Sequence, residues 1–358
     1  MMNGFNNNFR KKRIGWLCSY VPAEIVIAAG LEPVRIQGQV EMVKEADSYM
    51  SLNNCPYLKN ILDSGLQNKF KNLEGIVFTN SCDGMRRLYD IWTHHVQMPF
   101  SHMLEIPKKK DGNAIRYFSE QLHGLKTTLE KVFEVNISDD KLEKAIGLMN
   151  EHRKIIIKLF ERQKESPPPY KGSELLALCL EEMTRPKDET TEKIKNVLER
   201  VEPPKSLKDK SPRILVMGNV IDKLNLFQMV EAVGASVVAF DTCLGLRHYS
   251  GAVEEGQDPI ESIARRYLLK PSCARVPGFN ERIERVEQLI QDYSVDGIIY
   301  STGKFCDYAM FEAPVVERRL QNRQFPFLIL ENDYIWGDEG RVRTRIEAFV
   351  EMIKGDLN

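Results

Sequence analysis

The sequence predicts an α/β protein with two Rossmann-like lobes, each built on a parallel sheet, and a helical insert between them. Short apolar runs alternate with helix-like runs in the first and last thirds of the chain. The stretches LEGIVFTNSCD (73–83) and VDGIIYSTGKFCD (295–307) share one layout, in which a Gly-Ile pair and an apolar strand lead to a turn with Cys-Asp. The middle of the chain shows only helical periodicity. Together these observations favour two lobes of related plan.

The first lobe is predicted to cover residues 14–205, after a flexible lead of residues 1–13. IGWL is its first strand. A helix follows from about Pro22 to Ala29, because proline suits the first turn of a helix and Gly30 is a natural stop. EPVRI and LEGIVFTN read as further strands, and GMRRLYDIW reads as the next helix.

Residues 117–201, approximately, are predicted to form the helical region, because Leu, Ile, Lys and Glu recur there at helical spacing. The run Pro167, Pro168 and Pro169 is expected to interrupt it, and a polar linker follows at about residues 203–212. The second lobe is predicted to cover residues 206–358. Its expected elements are the strand RILVMGN, the helix LNLFQMVEAVG, the strand ASVVAFD and the closing helix GRVRTRIEAFVEMIK.

Composition narrows the class of protein. Of the 358 residues, 42% are hydrophobic and 28% are charged, as in soluble globular proteins, and the formal net charge of -1 gives no basic footprint for nucleic acid. No apolar run reaches the roughly 18 residues of a membrane span. The start, MMNGFNNNFRKKR, has no apolar core of a secretory signal. We therefore expect a cytoplasmic protein without nucleic-acid or membrane partners, whose cysteines stay reduced.

The seven cysteines are the most informative feature, since six of them form two sets of three. The sets are Cys18, Cys55 and Cys82 near the start and Cys243, Cys273 and Cys306 near the end. Most of them lie where a strand ends or a helix begins, and a helix N-terminus favours the thiolate, which is the metal-binding form. A soft-metal or iron–sulfur site shared by the lobes is therefore predicted.

Two alternatives stay open at this point. A free cysteine often simply packs in a core, and that is the expectation for Cys179 in LLALCLEEM. Zinc is the other alternative, although no pair has the CxxC spacing of zinc ribbons.

Other motifs limit the chemistry further. The sequence has no G-x-x-x-x-G-K-[ST] and no G-x-G-x-x-G after a strand, so any ATP must be bound by another protein. His248 is a tentative proton donor, because reduction consumes protons and histidine titrates near neutrality; a surface role is its alternative. Lys304 and Arg275 flank cysteines, where they either balance the charge of a cluster or are exposed loop residues.

Four stretches carry a family resemblance: CSYVPAEIVIAAGLEPVRI, TNSCDGMRRLYDIW, GKFCDYAMFE and ENDYIWGDEGRVRTRIEAFVEMI. At these residues the chain resembles the 2-hydroxyacyl-CoA dehydratase and benzoyl-CoA reductase superfamily, whose members are oxygen-sensitive iron–sulfur proteins. The resemblance implies an ATP-hydrolysing iron–sulfur activator as electron donor, and a homodimer or a heterodimer with a related subunit.

The six paired cysteines are most like the double-cubane branch of that superfamily. There, one chain holds an [8Fe-9S] cluster. The resemblance then implies that Cys18, Cys55 and Cys82 hold one cubane and that Cys243, Cys273 and Cys306 hold the other. The expected function is the activator-dependent, low-potential reduction of a small molecule. The alternatives are a [4Fe-4S] subunit of a 2-hydroxyacyl-CoA dehydratase or benzoyl-CoA reductase, and a non-catalytic zinc-stabilised scaffold.

Overall fold

Eight strands form two four-stranded sheets in the computed structural model, which describes residues 11–200, 211–321, 324–335 and 337–357. The strands are β1 (Arg13–Trp16), β2 (Glu32–Arg35), β3 (Gly75–Thr79), β4 (Phe100–Leu104), β5 (Arg213–Gly218), β6 (Ser236–Asp241), β7 (Gly297–Gly303) and β8 (Phe327–Asn332). The sheet orders are β2-β1-β3-β4 and β6-β5-β7-β8, and all pairings are parallel. The predicted fold class is thus confirmed.

Helices cover both faces of the sheets, so the central strands β3 and β7 are buried along their whole length. In the first lobe the helices are α1 (Ala23–Ala28), α2 (Pro56–Leu66) and α3 (Asp83–His95). The helical region holds α4 (Gly112–Phe133), α5 (Asp139–Arg162), α6 (Gly172–Glu182) and α7 (Lys187–Arg200). The second lobe holds α8 (Asn225–Ala232), α9 (Leu246–Tyr249), α10 (Pro259–Leu269), α11 (Phe279–Asp292), α12 (Asp307–Gln321) and α13 (Glu339–Leu357).

Several boundaries follow the sequence closely. Helix α1 ends where Gly30 takes a φ of +76°, a left-handed conformation that suits glycine. The proline run lies between α5 and α6, as predicted. The predicted lead is too long at its end, because β1 already begins at Arg13. Residues 1–10 of that lead, and residues 203–210 of the predicted linker, lie outside the described residues.

The helical region packs against both lobes. Helix α5 contacts α1 of the first lobe and α9 of the second, while α4 packs on α10 and α6 packs on β6. A buried polar cluster ties the same parts together: Tyr267 on α10 donates a hydrogen bond to Glu24 on α1 at 2.8 Å, and Arg153 on α5 pairs with Glu24. One continuous apolar core therefore runs through the helical region and both sheets, and a second core covers the other face of the first sheet.

Candidate functional site

A cavity of about 1090 Å³ lies where the carboxyl ends of the two sheets meet. Its wall includes residues that follow β1, β3, β5, β6 and β7, at the edge where open α/β sheets bind ligands. All six paired cysteines line it: Cys18, Cys55, Cys82, Cys243, Cys273 and Cys306. Side chains that are far apart in sequence are thus brought to one place by both lobes.

Three of these cysteines lie at helix N-termini. Cys55 and Cys82 are the residues directly before α2 and α3, and Cys306 directly precedes α12. Pro56 opens α2, where its missing N–H costs no helical hydrogen bond. The positive end of each helix dipole therefore faces the cavity, which favours thiolates and any anionic group bound there.

The two sets of cysteines are not fully equivalent. Cys82 and Cys306 correspond, because each follows the third strand of its lobe, β3 or β7. Cys55 and Cys273 both precede that strand, in the connection that leads to it. Cys18, however, follows β1, whereas Cys243 follows β6, the counterpart of β2. The residues after β5 that line the cavity are instead Asn219 and Val220.

Hydrogen bonds near the cavity join residues of one lobe to residues of the other. Lys270, just before Cys273, donates from Nζ to the carbonyl oxygen of Ser19, next to Cys18, at 2.5 Å. Lys108 donates from Nζ to the carbonyl oxygens of Ser81 and Arg275, at 3.1 and 3.3 Å. The segment before Cys273 is therefore held against the segment that carries Cys18, and the segment after it is bridged by Lys108 to the one that carries Cys82.

The pKa values of two cysteine thiols also depend on cysteines of the opposite lobe. Burial, and then the nearby thiolate of Cys306, raise the pKa of Cys55 to about 12, and Cys82 contributes less. Burial also raises the pKa of Cys243, and the thiolate that adds to this effect is that of Cys18. For Cys55 and for Cys243, the most influential thiol therefore comes from the opposite lobe.

Arginine side chains supply positive charge to the same wall. Arg275 donates from Nη2 to Sγ of Cys306 at 3.7 Å. Burial alone would raise the pKa of Cys273, but the guanidinium groups of Arg275 and Arg247 outweigh it and hold that pKa below its ordinary value. Of the two flanking cations considered in the sequence, Arg275 lines the cavity and Lys304 does not.

His248 occupies a different place from the one a proton donor to this cavity would need. Its ring stacks on Trp16 with 5.4 Å between centroids, and it does not line the cavity. Burial, and then the charge of Lys270, hold the pKa of His248 well below its usual value, so that the imidazole is neutral near pH 7. The proton-donor role therefore stays a prediction, which this placement does not favour.

Cys179 lies apart from the cavity, on α6. It is 1% exposed and belongs to the main apolar core, as the sequence predicted. Burial raises its pKa, so the thiol is protonated at neutral pH.

Several residues of the cavity wall were not singled out from the sequence. Arg35 and Tyr57 form one pair in the wall, and Arg282 and Glu312 form another. Glu312 accepts hydrogen bonds from Arg282 Nε at 2.6 Å and from the hydroxyl of Tyr300, on β7, at 2.8 Å. Arg35 is the last residue of β2, and its position at the end of a buried strand is the only local feature that sets it apart in the sequence.

The cysteines of the cavity suit a metal-containing group, because their thiolates are soft, anionic ligands. Six sulfur atoms face one space beside buried guanidinium groups, and thiolates are the ligands of iron–sulfur clusters. Within the described parts of the chain, no three His, Cys, Asp or Glu side chains are grouped closely enough to hold a single metal ion. The helices of those parts also include none that is long and apolar enough to cross a bilayer.

Comparison with known proteins identifies the family. The family model described as 2-hydroxyglutaryl-CoA dehydratase, D-component, matches residues 18–353. The chain belongs to this family. It thereby falls within the 2-hydroxyacyl-CoA dehydratase and benzoyl-CoA reductase superfamily, as the sequence motifs predicted.

Curated relatives of the family match along nearly their whole length. YjiM of Escherichia coli (strain K12) is 27% identical over an aligned length of 357 residues, and the match covers 95% of this chain and 91% of YjiM. The (R)-phenyllactyl-CoA dehydratase beta subunit of Clostridium sporogenes is 23% identical, covering 96% of this chain and 92% of that protein. A benzoyl-CoA reductase subunit of Thauera aromatica is 22% identical, covering 96% of this chain and 91% of that protein. The relatives with assigned activities are thus components of dehydratases or reductases.

Proposed function

We propose that this chain is an iron–sulfur reductase that holds a double-cubane [8Fe-9S] cluster in the cysteine cavity. One observation carries the proposal: six cysteines, three from each lobe, line a single cavity of about 1090 Å³. A group that used all of them would bridge the lobes. When bound, it would supply low-potential electrons to a small molecule, and the chain would reduce that molecule with electrons from an ATP-hydrolysing iron–sulfur partner.

We further propose an assignment of ligands that departs from one trio per lobe. Two observations support mixed sets. Cys18 is the thiol that acts on Cys243, and Ser19, next to Cys18, accepts a hydrogen bond from Lys270, close to Cys273 in sequence. Cys306 and Cys82 are the thiols that act on Cys55. Each set then contains residues from both lobes, and cluster binding would depend on the lobes being docked.

The rest of the wall has roles of its own. Arg275 would neutralise charge near the middle of the cavity, since the thiolates of Cys82, Cys306, Cys273 and Cys18 all act on it. Tyr300 and Arg282 fix Glu312 in the wall. Phe311 also lines the cavity and is 78% exposed.

A single [4Fe-4S] cluster in a subunit of an acyl-CoA dehydratase or reductase is the second candidate. It is supported by relatives that are named as subunits of (R)-phenyllactyl-CoA dehydratase and benzoyl-CoA reductase. In that case three of the six cysteines would suffice for the cluster.

Iron and sulfide analysis after anaerobic purification tests these candidates. About eight irons with acid-labile sulfide per chain supports the double cubane, and about four supports the single cluster. Zinc without sulfide would contradict both and favour a zinc-stabilised scaffold.

The dependence on a partner has its own test, because the sequence carries no P-loop. Turnover should require an added ATP-hydrolysing iron–sulfur protein together with ATP. Turnover with ATP and this chain alone would contradict the partner assignment.

A further inference from the structure

Among the arginines that line the cavity, Arg35 has the most buried nitrogen atoms without a hydrogen-bond partner within the described residues. It is the last residue of β2 and is 2% exposed, yet it lines the cavity. The guanidinium packs over the ring of Trp16 with 4.8 Å to the centroid. Nη2 donates a hydrogen bond to the Tyr57 hydroxyl at 3.4 Å. These contacts fix its position but supply no negative charge.

Two of its nitrogen atoms have no partner. Within the described residues, Nε and Nη1 of Arg35 are buried and form no hydrogen bond. A guanidinium stays protonated in proteins, so Arg35 carries its charge in the empty protein. A buried charge without a paired anion is strongly destabilising, which makes an arginine in this state unusual unless something else enters the cavity.

Asp222, the carboxylate that acts on Arg35, does not serve as its anionic partner. Asp222 acts on Arg35 electrostatically, but the two form no ion pair in the part of the chain that the structure describes. The Oδ2 atom of Asp222 instead accepts a hydrogen bond from the Tyr334 hydroxyl at 2.8 Å. Burial raises the pKa of Asp222 above its ordinary value, although the hydrogen bond from Tyr334 opposes this effect.

Burial would lower the pKa of Arg35, but Tyr57 and then the thiols of Cys243 and Cys18 act in the opposite direction. These two cysteines are among the proposed cluster ligands. Arg275, which also lines the cavity, donates to Sγ of Cys306 at 3.7 Å. The two arginines therefore differ, because the guanidinium of Arg275 donates to a cysteine sulfur, whereas that of Arg35 donates only to the Tyr57 hydroxyl within the described residues.

We propose that Arg35 is the built-in counter-ion of the cluster at the Cys18–Cys243 end, where its free N–H groups donate to cluster or cysteine sulfur. This inference rests on the proposed function. Arg35 is a positioning residue in this account. One-electron reduction adds one negative charge to the cluster and makes or breaks no bond with Arg35. A fixed cation beside the cluster would stabilise the reduced form of the cluster more than the oxidised form, and would therefore raise its midpoint potential.

The same residue should have opposite effects on stability in the two states. In the empty protein Arg35 is an unpaired buried charge, so replacing it with methionine should leave the melting temperature unchanged or raise it. In the loaded protein the cluster pairs with Arg35, so the same replacement should reduce the rise in melting temperature that cluster incorporation produces.

The experiment compares wild-type protein with Arg35→Met, Arg35→Lys and Arg87→Gln after anaerobic reconstitution with iron and sulfide. Arg87 is the matched control, because it lines the same cavity but is 63% exposed and pairs with Asp83. Iron and sulfide are measured first. Midpoint potentials are then determined by mediated titration with a chemical reductant, followed by electron paramagnetic resonance.

We expect Arg35→Met to retain its iron while the equilibrium constant for reduction falls at least tenfold, which is a shift of 59 mV to more negative potential for one electron. Arg35→Lys should recover most of this shift, and Arg87→Gln should show little of it. Full iron with an unchanged potential in Arg35→Met would overturn the inference alone. Failure of Arg35→Met to fold without the cluster would also overturn it, since the empty protein should tolerate losing this charge. Wild-type protein that takes up no iron would overturn the proposed function together with the inference.

Discussion

Arg275 donates a hydrogen bond from Nη2 to Sγ of Cys306, across 3.7 Å. This contact joins the loop that carries Cys273 to the turn that carries Cys306. The carbonyl oxygen of Arg275 meanwhile accepts a hydrogen bond from Lys108, in the first lobe. Arg275 therefore links the cysteine loops of the second lobe to the first lobe, so that both lobes shape the cavity that the cysteines line.

Single cysteine substitutions should reveal which ligands act together. Alanine at Cys55, Cys82 or Cys306 should remove the same half of the cluster, because these thiols lie at one end of the cavity. Alanine at Cys18, Cys243 or Cys273 should remove the other half. We expect each variant to lose about half of its iron, with one spectroscopic signature per group.

Iron content and electron paramagnetic resonance of the anaerobically purified variants measure this. If the Cys18 variant instead had the same signature as the Cys55 and Cys82 variants, the sets would follow the lobes and the mixed assignment would be wrong.

Cys179→Ala provides the matched control. Its thiol is 1% exposed on α6, in the core rather than in the cavity wall. The substitution should keep full iron content and cost about 1 kcal/mol of stability, as small truncations in a core do. Loss of iron from this variant equal to the loss from Cys82→Ala would show that iron content reports general unfolding.

Glu182 should be among the most important polar residues for stability. It accepts hydrogen bonds from His152 at 2.7 Å and Lys187 at 2.8 Å, and Tyr249 of the second lobe also donates to it. Glu182→Leu would leave buried partners unpaired and should cost about 3–5 kcal/mol. Glu181→Leu is the control, because its pair with Lys193 is exposed and worth about 0–1 kcal/mol. Urea unfolding of both variants measures the difference, and equal midpoints would contradict the assignment.

The same carboxylate gives an acid-dependent contribution to stability. Burial alone would raise the pKa of Glu182, but Lys187 and His152 outweigh it and hold that pKa well below the ordinary value of 4.5. A lowered folded-state pKa gives a contribution that is fully present above pH 4.5 and is lost as the pH falls below it. The unfolding free-energy gap between wild-type protein and Glu182→Gln should therefore narrow below that pH. A gap that stayed constant through this range would contradict the prediction.

The sequence revealed the two-lobe plan because the strand, cysteine turn and helix recur in both lobes within a few residues. It did not reveal β4 and β8, the fourth strand of each sheet, since FSHML and FLILEN carry no flanking cysteine turn to mark them. Helix periodicity identified the insert but not its packing on both lobes. Which helix faces meet is decided by tertiary contacts such as Arg153 with Glu24.

The order of the cysteines along the chain also did not predict which of them correspond in the two lobes. Cys18 and Cys243 are each the first cysteine of their set, but Cys243 follows ASVVAFD, and the strand order shows that this strand, β6, is the counterpart of β2 and not of β1. Arg35 was missed for a related reason. Nothing in EPVRI indicates that this arginine would be buried beside cysteines from both lobes.

The central claim is that sulfur ligands from both lobes share one inorganic centre. Anomalous diffraction at the iron edge from anaerobically grown crystals tests this most directly. We predict iron sites within the cavity, bonded to Sγ atoms of the six cysteines that line it: Cys18, Cys55, Cys82, Cys243, Cys273 and Cys306. Iron bonded to the cysteines of one lobe alone, or a cavity whose only anomalous signal is that of zinc, would contradict the account.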